Sequence, residues 1–226
     1  MMEEYHKIQT LFKRDVEFKK GRIVEELTLP EFEYLYWNEW VGTEKVDGTN
    51  LRIHWQREGN VFTIGGRTEY AQIPAPLVQK LNEYIAGFDF DAHFPDDVNE
   101  VTLFGEGFGK GIQKVGKQYN SDAVDFVLFD VKVGEWMLRR FAVIDVAAAL
   151  GLYVVPEVFH GNLSEAIKLV SAGFQSTFGN LEAEGLVLTP AEPLYTRKGE
   201  RIITKLKKKD FIKNPDFDLA KLEASL

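Results

Sequence analysis

The sequence predicts an α+β fold in which antiparallel sheets are flanked by helices. Three observations carry this. Short apolar segments with strand character come in runs, while helical periodicities fall between them at irregular intervals, unlike the strict alternation of a parallel βαβ winding. Turn-forming residues separate neighbouring strands, as at Glu58-Gly59-Asn60. No repeat, low-complexity tract or Pro/Gly/Ser-rich linker interrupts the 226 residues, which therefore read as one domain spanning 1–226.

The elements follow in order. The first forty residues mix charges with aromatics (Phe32, Tyr34, Tyr36, Trp37, Trp40) and read as an ordered lead-in. Four of these, Tyr34, Tyr36, Trp37 and Trp40, have the chemistry to stack on bases, although aromatics at such positions more commonly fill cores. Strands are expected over 40–45 and 50–56, and the turn at 58–60 leads the second into a partner at 61–65, forming a hairpin. Prolines opening 74–86, with apolar residues at Leu77, Leu81 and Ile85, predict a helix. Strands over 100–104 and 125–133 come next, the second turning through Gly134-Glu135 into 136–138. Residues 140–150 read as a buried helix, 153–155 as a strand and 164–171 as an amphipathic helix. Residues 184–188 and 201–206 are again strand-like.

Composition narrows the chemistry. The chain has 45% hydrophobic and 27% charged residues with 17 Phe, enough apolar material for a real core and incompatible with intrinsic disorder. The absence of Cys removes disulfides, thiolate metal sites and cysteine nucleophiles. The most apolar stretch, 141–155, contains Asp145 and falls short of the ~18 residues a membrane span needs. With an acidic, polar N-terminus and no secretory signal, a soluble cytoplasmic protein is expected. A net charge of −8 argues against non-specific coating of nucleic acid. Against that background, 197–209 concentrates seven Lys and Arg around Glu200 alone. Such a run serves equally as a solvated face or as a phosphate-contacting strand.

The densest chemical signal is Thr43-Glu44-Lys45-Val46-Asp47-Gly48-Thr49-Asn50. A lysine ends one strand, a carboxylate and a glycine form a tight turn, and a second strand begins. Such a lysine can act as a nucleophile on phosphorus if it is neutral, and neighbouring cations favour loss of its proton. A hairpin with Asp-Gly turn chemistry and an ion-paired lysine accounts for the same residues. Downstream, Phe104-Gly105-Glu106-Gly107-Phe108-Gly109-Lys110-Gly111-Ile112-Gln113-Lys114 is glycine-rich. It has neither the spacing of a kinase phosphate loop nor the Gly-Lys-Ser/Thr of a P-loop. It reads as a strand ending in a glutamate, followed by a flexible loop carrying Lys110, Lys114 and Lys117. Glu184-Gly185-Leu186-Val187 opens an apolar strand, and Lys205-Leu206-Lys207 places two lysines at i and i+2, on one strand face. Lys208 then falls on the opposite face. The four His show no metal-ligand spacing.

Together and in this order, these segments resemble the covalent nucleotidyltransferase superfamily of ATP-dependent polynucleotide ligases and mRNA capping enzymes, within it the RNA ligase 2-like branch. The resemblance runs from about residue 43 to 210 and implies a nucleotidyltransferase (adenylation) domain. It implies Lys45 as the AMP-bearing lysine, with Lys205, Lys207 and Arg67 completing the catalytic set. Glu44, Asn50, Glu106, Phe129 and Glu184 are implied in nucleotide binding, with Phe126 as a second candidate for the aromatic that stacks on adenine. Asp47 and Glu184 are implied in binding Mg2+ or Mn2+. ATP is the implied cofactor, and RNA 5′-phosphate and 3′-hydroxyl ends are the implied partners. Only nineteen residues follow Lys207, fewer than the C-terminal OB-type domain of relatives, so an accessory protein for substrate binding is an expectation, with no membrane partner. A DNA ligase or a capping-type guanylyltransferase would use the same lysine. Asn50 and Gly111-Ile112-Gln113 favour RNA joining over both. A non-catalytic nucleotide- or nucleic-acid-binding module is the reading from a different class.

Overall fold

The computed structural model describes residues 4–15 and 21–226. The lead-in forms β1 (Gln9–Thr10), β2 (Phe12–Arg14), β3 (Ile23–Leu27) and α1 (Pro30–Tyr34), and part of it, 16–20, lies outside the described residues. Then come β4 (Trp40–Glu44), β5 (Thr49–Gln56), β6 (Val61–Gly66), α2 (Ala75–Ile85), α3 (Phe90–His93) and β7 (Glu100–Gly109). The middle of the chain holds α4 (Gly116–Tyr119), β8 (Val124–Val133), β9 (Trp136–Met137), α5 (Arg140–Leu150), β10 (Tyr153–Val154) and β11 (Glu157–Gly161). The last stretch adds α6 (Leu163–Ala172), β12 (Gly185–Pro190), β13 (Thr204–Lys207), α7 (Lys208–Ile212) and α8 (Leu219–Glu223). The fold is α+β. Among the described residues, no helix is long and apolar enough to cross a membrane.

The chain divides into two compact units, one of residues 1–6 and 47–155 and the other of residues 7–46 and 156–226. They interleave in sequence, the chain crossing from one to the other between residues 6 and 7, 46 and 47, and 155 and 156. No Pro/Gly/Ser-rich linker marks the division.

The first unit is built on a sheet of order β10-β8-β7-β5-β6, with β9 on the edge of β8. The β5–β6 hairpin closes as its turn chemistry requires: Gly59 and Asn60 take positive φ (78° and 50°), and Asn60 Oδ1 accepts the Trp55 indole N–H at 2.7 Å. Alternate residues Leu51, Ile53 and Trp55 face a core shared with Leu77 and Leu81 of α2 and with Val143 and Ala147 of α5. Helix α5 is buried on that one side only, since Phe141 and Ile144 are exposed. Strand β10 runs parallel to β8, a departure from the antiparallel expectation.

The strand runs three residues past its expected end at Glu106, to Gly109, and the lysine-bearing loop begins at Lys110. β7 continues through Gly109 because a Cβ at Gly105 would lie 2.2 Å from the Phe126 ring, and one at Gly107 would lie 2.6 Å from Leu51. The small residues let large core side chains approach the backbone, so composition alone misreads them as flexible.

The second unit has a sheet of order β1-β13-β12-β4-β11, antiparallel except for the β1–β13 pair, and a two-stranded β2–β3 ribbon. Its core joins Trp40, Leu186, Leu188 and Leu206 of the sheet to Leu163, Ala166, Ile167 and Val170 of α6. That helix starts at a reciprocal cap, the Asn162 side chain accepting the Glu165 N–H and the Glu165 carboxylate accepting the Asn162 N–H. Of the four early aromatics, Tyr36 and Trp40 are buried here while Tyr34 and Trp37 are exposed. The cationic run is divided among a loop, β13 and α7. β13 ends at Lys207, so Lys208 opens a helix and donates to the Ser171 carbonyl (2.8 Å), in place of the opposite strand face expected for it.

Candidate active site

Pairing register decides which side chains of the second unit meet. Leu186 opposes Glu44 and Leu188 opposes Gly42 across β12–β4, while Gly185 opposes Lys207 and Val187 opposes Lys205 across β12–β13. One sheet face therefore carries Glu44, Leu186, Thr204 and Leu206, all buried. Thr43, Val187, Lys205 and Lys207 lie on the other. Lys45 follows β4 by one residue, its backbone N–H donating to the Gly185 carbonyl at 2.9 Å.

On that second face, three of the implied residues converge. The Lys45 Nζ donates to Glu184 Oε2 at 2.6 Å, and the Lys207 Nζ donates to Glu184 Oε1 at 2.7 Å, with Lys209 Nζ 3.8 Å from the same oxygen. The side chains of Lys45, Lys207 and Glu184 are only 19%, 18% and 10% exposed. Burial pushes the Glu184 carboxyl upward, but the charge of Lys45 and the hydrogen bonds from Lys207 and Lys45 outweigh it, and the group is held below its ordinary value of 4.5. A carboxyl depressed in the folded state stabilises the fold above its unfolded value, and that contribution is lost as pH falls through the folded value. Thermal midpoints measured below about pH 4.5 are expected to fall for wild type. The acid-dependent part of that fall should shrink in Glu184→Gln, where no carboxylate remains to be protonated.

Gly185 makes the corner that aims Glu184. Its φ is +151°, and a Cβ there would lie 2.0 Å from the Leu206 carbonyl oxygen. Gly185→Ala is expected to destabilise the chain by about 2 kcal/mol or more through strain and collision. Chemical denaturation checks this.

Asp47, Asn50, Arg67, Glu106 and Phe129 lie in the first unit. The Asp47 N–H donates to the Tyr119 hydroxyl at 3.1 Å. Gly48 sits so close to β7 that a Cβ would lie 2.3 Å from the Gly107 carbonyl oxygen. Its own carbonyl accepts from Gln113 Nε2 at 3.0 Å, with Gln113 at φ +54°. The Gly-Ile-Gln segment thus braces the Asp-Gly turn. Asn50 and Glu106 are direct cross-strand partners on the sheet face opposite Leu51. The Asn50 Oδ1 is buried and has no hydrogen-bond partner among the described residues, leaving an acceptor that a ligand donor would satisfy. Arg67 lies exposed just past β6.

A bulge separates the two candidate aromatics. Phe104 opposes Asp130 but Gly105 opposes Leu128, leaving Phe129 as the extra residue of β8. Phe126 is fully buried against Gly105, whereas Phe129 is half-buried with Tyr5 at 5.1 Å between ring centres. Tyr5 also donates its hydroxyl to Asp130 (2.5 Å).

Glu44 does not join the lysines. It points into the opposite face, where Ser176 and Thr177 take up its carboxylate. Sequence reasoning missed Ser176, Thr177, Tyr5 and Tyr119, none of which carries a pattern of its own. Among the described residues, no group of three or more His, Cys, Asp or Glu is placed to hold a metal.

The fold has counterparts among solved RNA ligase structures. It is similar to Naegleria gruberi RNA ligase with PPi (TM-score 0.62, 20% identity, 93% of this chain and 62% of that chain). It is similar also to a lysine-to-alanine mutant of that ligase with ATP and Mn (0.62, 16%, 92% and 61%) and to a glutamate-to-alanine mutant with AMP and Mn (0.62, 16%, 92% and 61%). The chain therefore spans somewhat less than two thirds of those proteins' length. No curated protein matches it. The RNA ligase family model matches residues 38–207, most of the chain, and the chain belongs to that family.

Proposed function

We propose that the chain is an ATP-dependent RNA ligase that works through a covalent lysine–AMP intermediate. The observation carrying this reading is the Lys45–Glu184–Lys207 cluster at the end of β4. Membership of the RNA ligase family supports it, as do structural neighbours bound to ATP or AMP with Mn.

In the first step the deprotonated Lys45 amine attacks the α-phosphorus of ATP, a P–N bond forms, and the bond to the pyrophosphate oxygen breaks. AMP then passes to an RNA 5′-phosphate, and a 3′-hydroxyl displaces AMP to join the strand. Phosphoryl transfer depends on positioning and on neutralising developing charge. Lys207 and Lys205 share the face of Lys45 and supply that charge. Asn50 offers its unsatisfied Oδ1 to a nucleotide donor, Glu106 holds ribose hydroxyls, Phe129 stacks on adenine, and Arg67 adds a cation for the phosphates.

Glu184, kept ionised by the lysines around it, suits a hard divalent cation held largely through water. Glu184 is the residue of this cluster that would hold it. Bound there, the ion would supply charge neutralisation for the phosphates.

The test is a joining assay on 5′-phosphorylated RNA, with nicked-duplex RNA, nicked DNA, ATP and GTP as arms. Sealing of RNA with ATP is expected. Label from GTP would indicate a guanylyltransferase, preferential sealing of DNA a DNA ligase, and no labelling from either nucleotide a binding module.

A further inference from the structure

Glu44 stands next to the proposed nucleophile in sequence, yet strand alternation sends its side chain through the other face of the sheet. The residue is 1% exposed. Its carboxylate accepts three hydrogen bonds, from Ser176 Oγ (2.5 Å), the Thr177 backbone N–H (2.8 Å) and Thr177 Oγ1 (2.6 Å). A buried carboxylate requires such donors, and in accepting them it becomes a fixed point.

Two pieces of the site hang from that point. On one side, β4 ends at Glu44 and Lys45 is the next residue. On the other, Ser176 accepts the Phe178 N–H through its hydroxyl (3.1 Å) and donates its own N–H to the Leu181 carbonyl (2.9 Å). Gln175 bridges to Glu182, and the Ala183 N–H donates to the Phe174 carbonyl at 2.9 Å. The next residue after this small ladder is Glu184, which holds the Lys45 amine. One buried carboxylate thus anchors the nucleophile's backbone and the backbone of the glutamate that holds its amine.

We propose that Glu44, clasped by Ser176 and Thr177, is a positioning residue for Lys45–AMP formation and not a nucleotide ligand. The inference rests on the function proposed above. Its consequence is kinetic, because misplacing a reacting group by ~1 Å can cost ~10²-fold in rate. Loosening the clasp should slow the attack of Lys45 and leave the grip on ATP intact.

The experiment is rapid-quench measurement of enzyme–AMP formation across ATP concentrations for wild type, Glu44→Gln and Thr177→Val, with GTP as competitor and thermal midpoints recorded. Both variants are expected to lose about 10- to 100-fold in rate at saturating ATP, with half-saturating ATP within about twofold of wild type and the preference for ATP over GTP retained. Thr177→Val is nearly isosteric and keeps the Thr177 backbone bond, so it carries the test if Glu44→Gln does not fold. A raised half-saturating ATP with an intact saturated rate, or lost discrimination against GTP, would place Glu44 on the nucleotide and overturn the inference. So would wild-type rates in both variants. A wild-type chain that takes no label overturns the proposed function itself, which separates the two failures.

Discussion

Lys45→Ala is expected to form no AMP adduct and to lose all ATP-dependent joining. Lys45 is the amine at the strand end held by Glu184, with Lys207 on the same carboxylate, so its removal takes away the atom that forms the P–N bond. The fold should survive, because Glu184 keeps Lys207 as a hydrogen-bonded partner. Lys45→Arg should be equally inactive, since a guanidinium keeps the charge without offering a nucleophilic amine. Joining of an RNA whose 5′ end already carries AMP should persist in both variants, because the bond Lys45 makes is then already replaced. Gel assays with labelled ATP and with pre-adenylated RNA separate these steps. Loss of both activities together would show Lys45 to be needed for binding or folding instead of for attack.

The second large effect is expected at Lys207. Removing a preorganised donor aimed at developing charge costs about 10²- to 10³-fold in rate, and Lys207→Ala should slow adenylation by that order. Lys205→Ala should act in the same sense, since Lys205 shares the strand face with Lys207. Lys208→Ala is the control. Its amine lies on the first turn of α7, donating to Ser171 and 3.7 Å from Glu182, and its loss should leave adenylation near wild type. Equal damage at Lys207 and Lys208 would mean that the cationic run acts as a bulk patch.

Much of this was legible in the sequence where a local rule applied. The β5–β6 hairpin follows from Gly59-Asn60, and α2 from its apolar spacing and opening prolines. The pairing of Lys205 with Lys207 on one face follows from a period of two. The same period, applied to Glu44 and Lys45, would have sent the glutamate away from the lysine. The resemblance placed Glu44 at the nucleotide, and the register places its carboxylate among Ser176 and Thr177. Other features depended on partners distant in sequence. The strand character of 105–109 depends on Phe126, Leu51 and Leu77 pressing on glycine backbone. The different surroundings of Phe126 and Phe129 follow from a bulge that only the β7–β8 register reveals. The division into two units was invisible because each is assembled from separated segments.

The central claim is that Lys45 carries AMP. Intact-mass spectrometry of the wild-type chain after incubation with ATP and magnesium, followed by peptide mapping, tests it most directly. The expected result is the added mass of a single adenylyl group, mapped to Lys45 and absent from Lys45→Ala. An unmodified chain, or an adenylyl group mapped to any other residue, would contradict it.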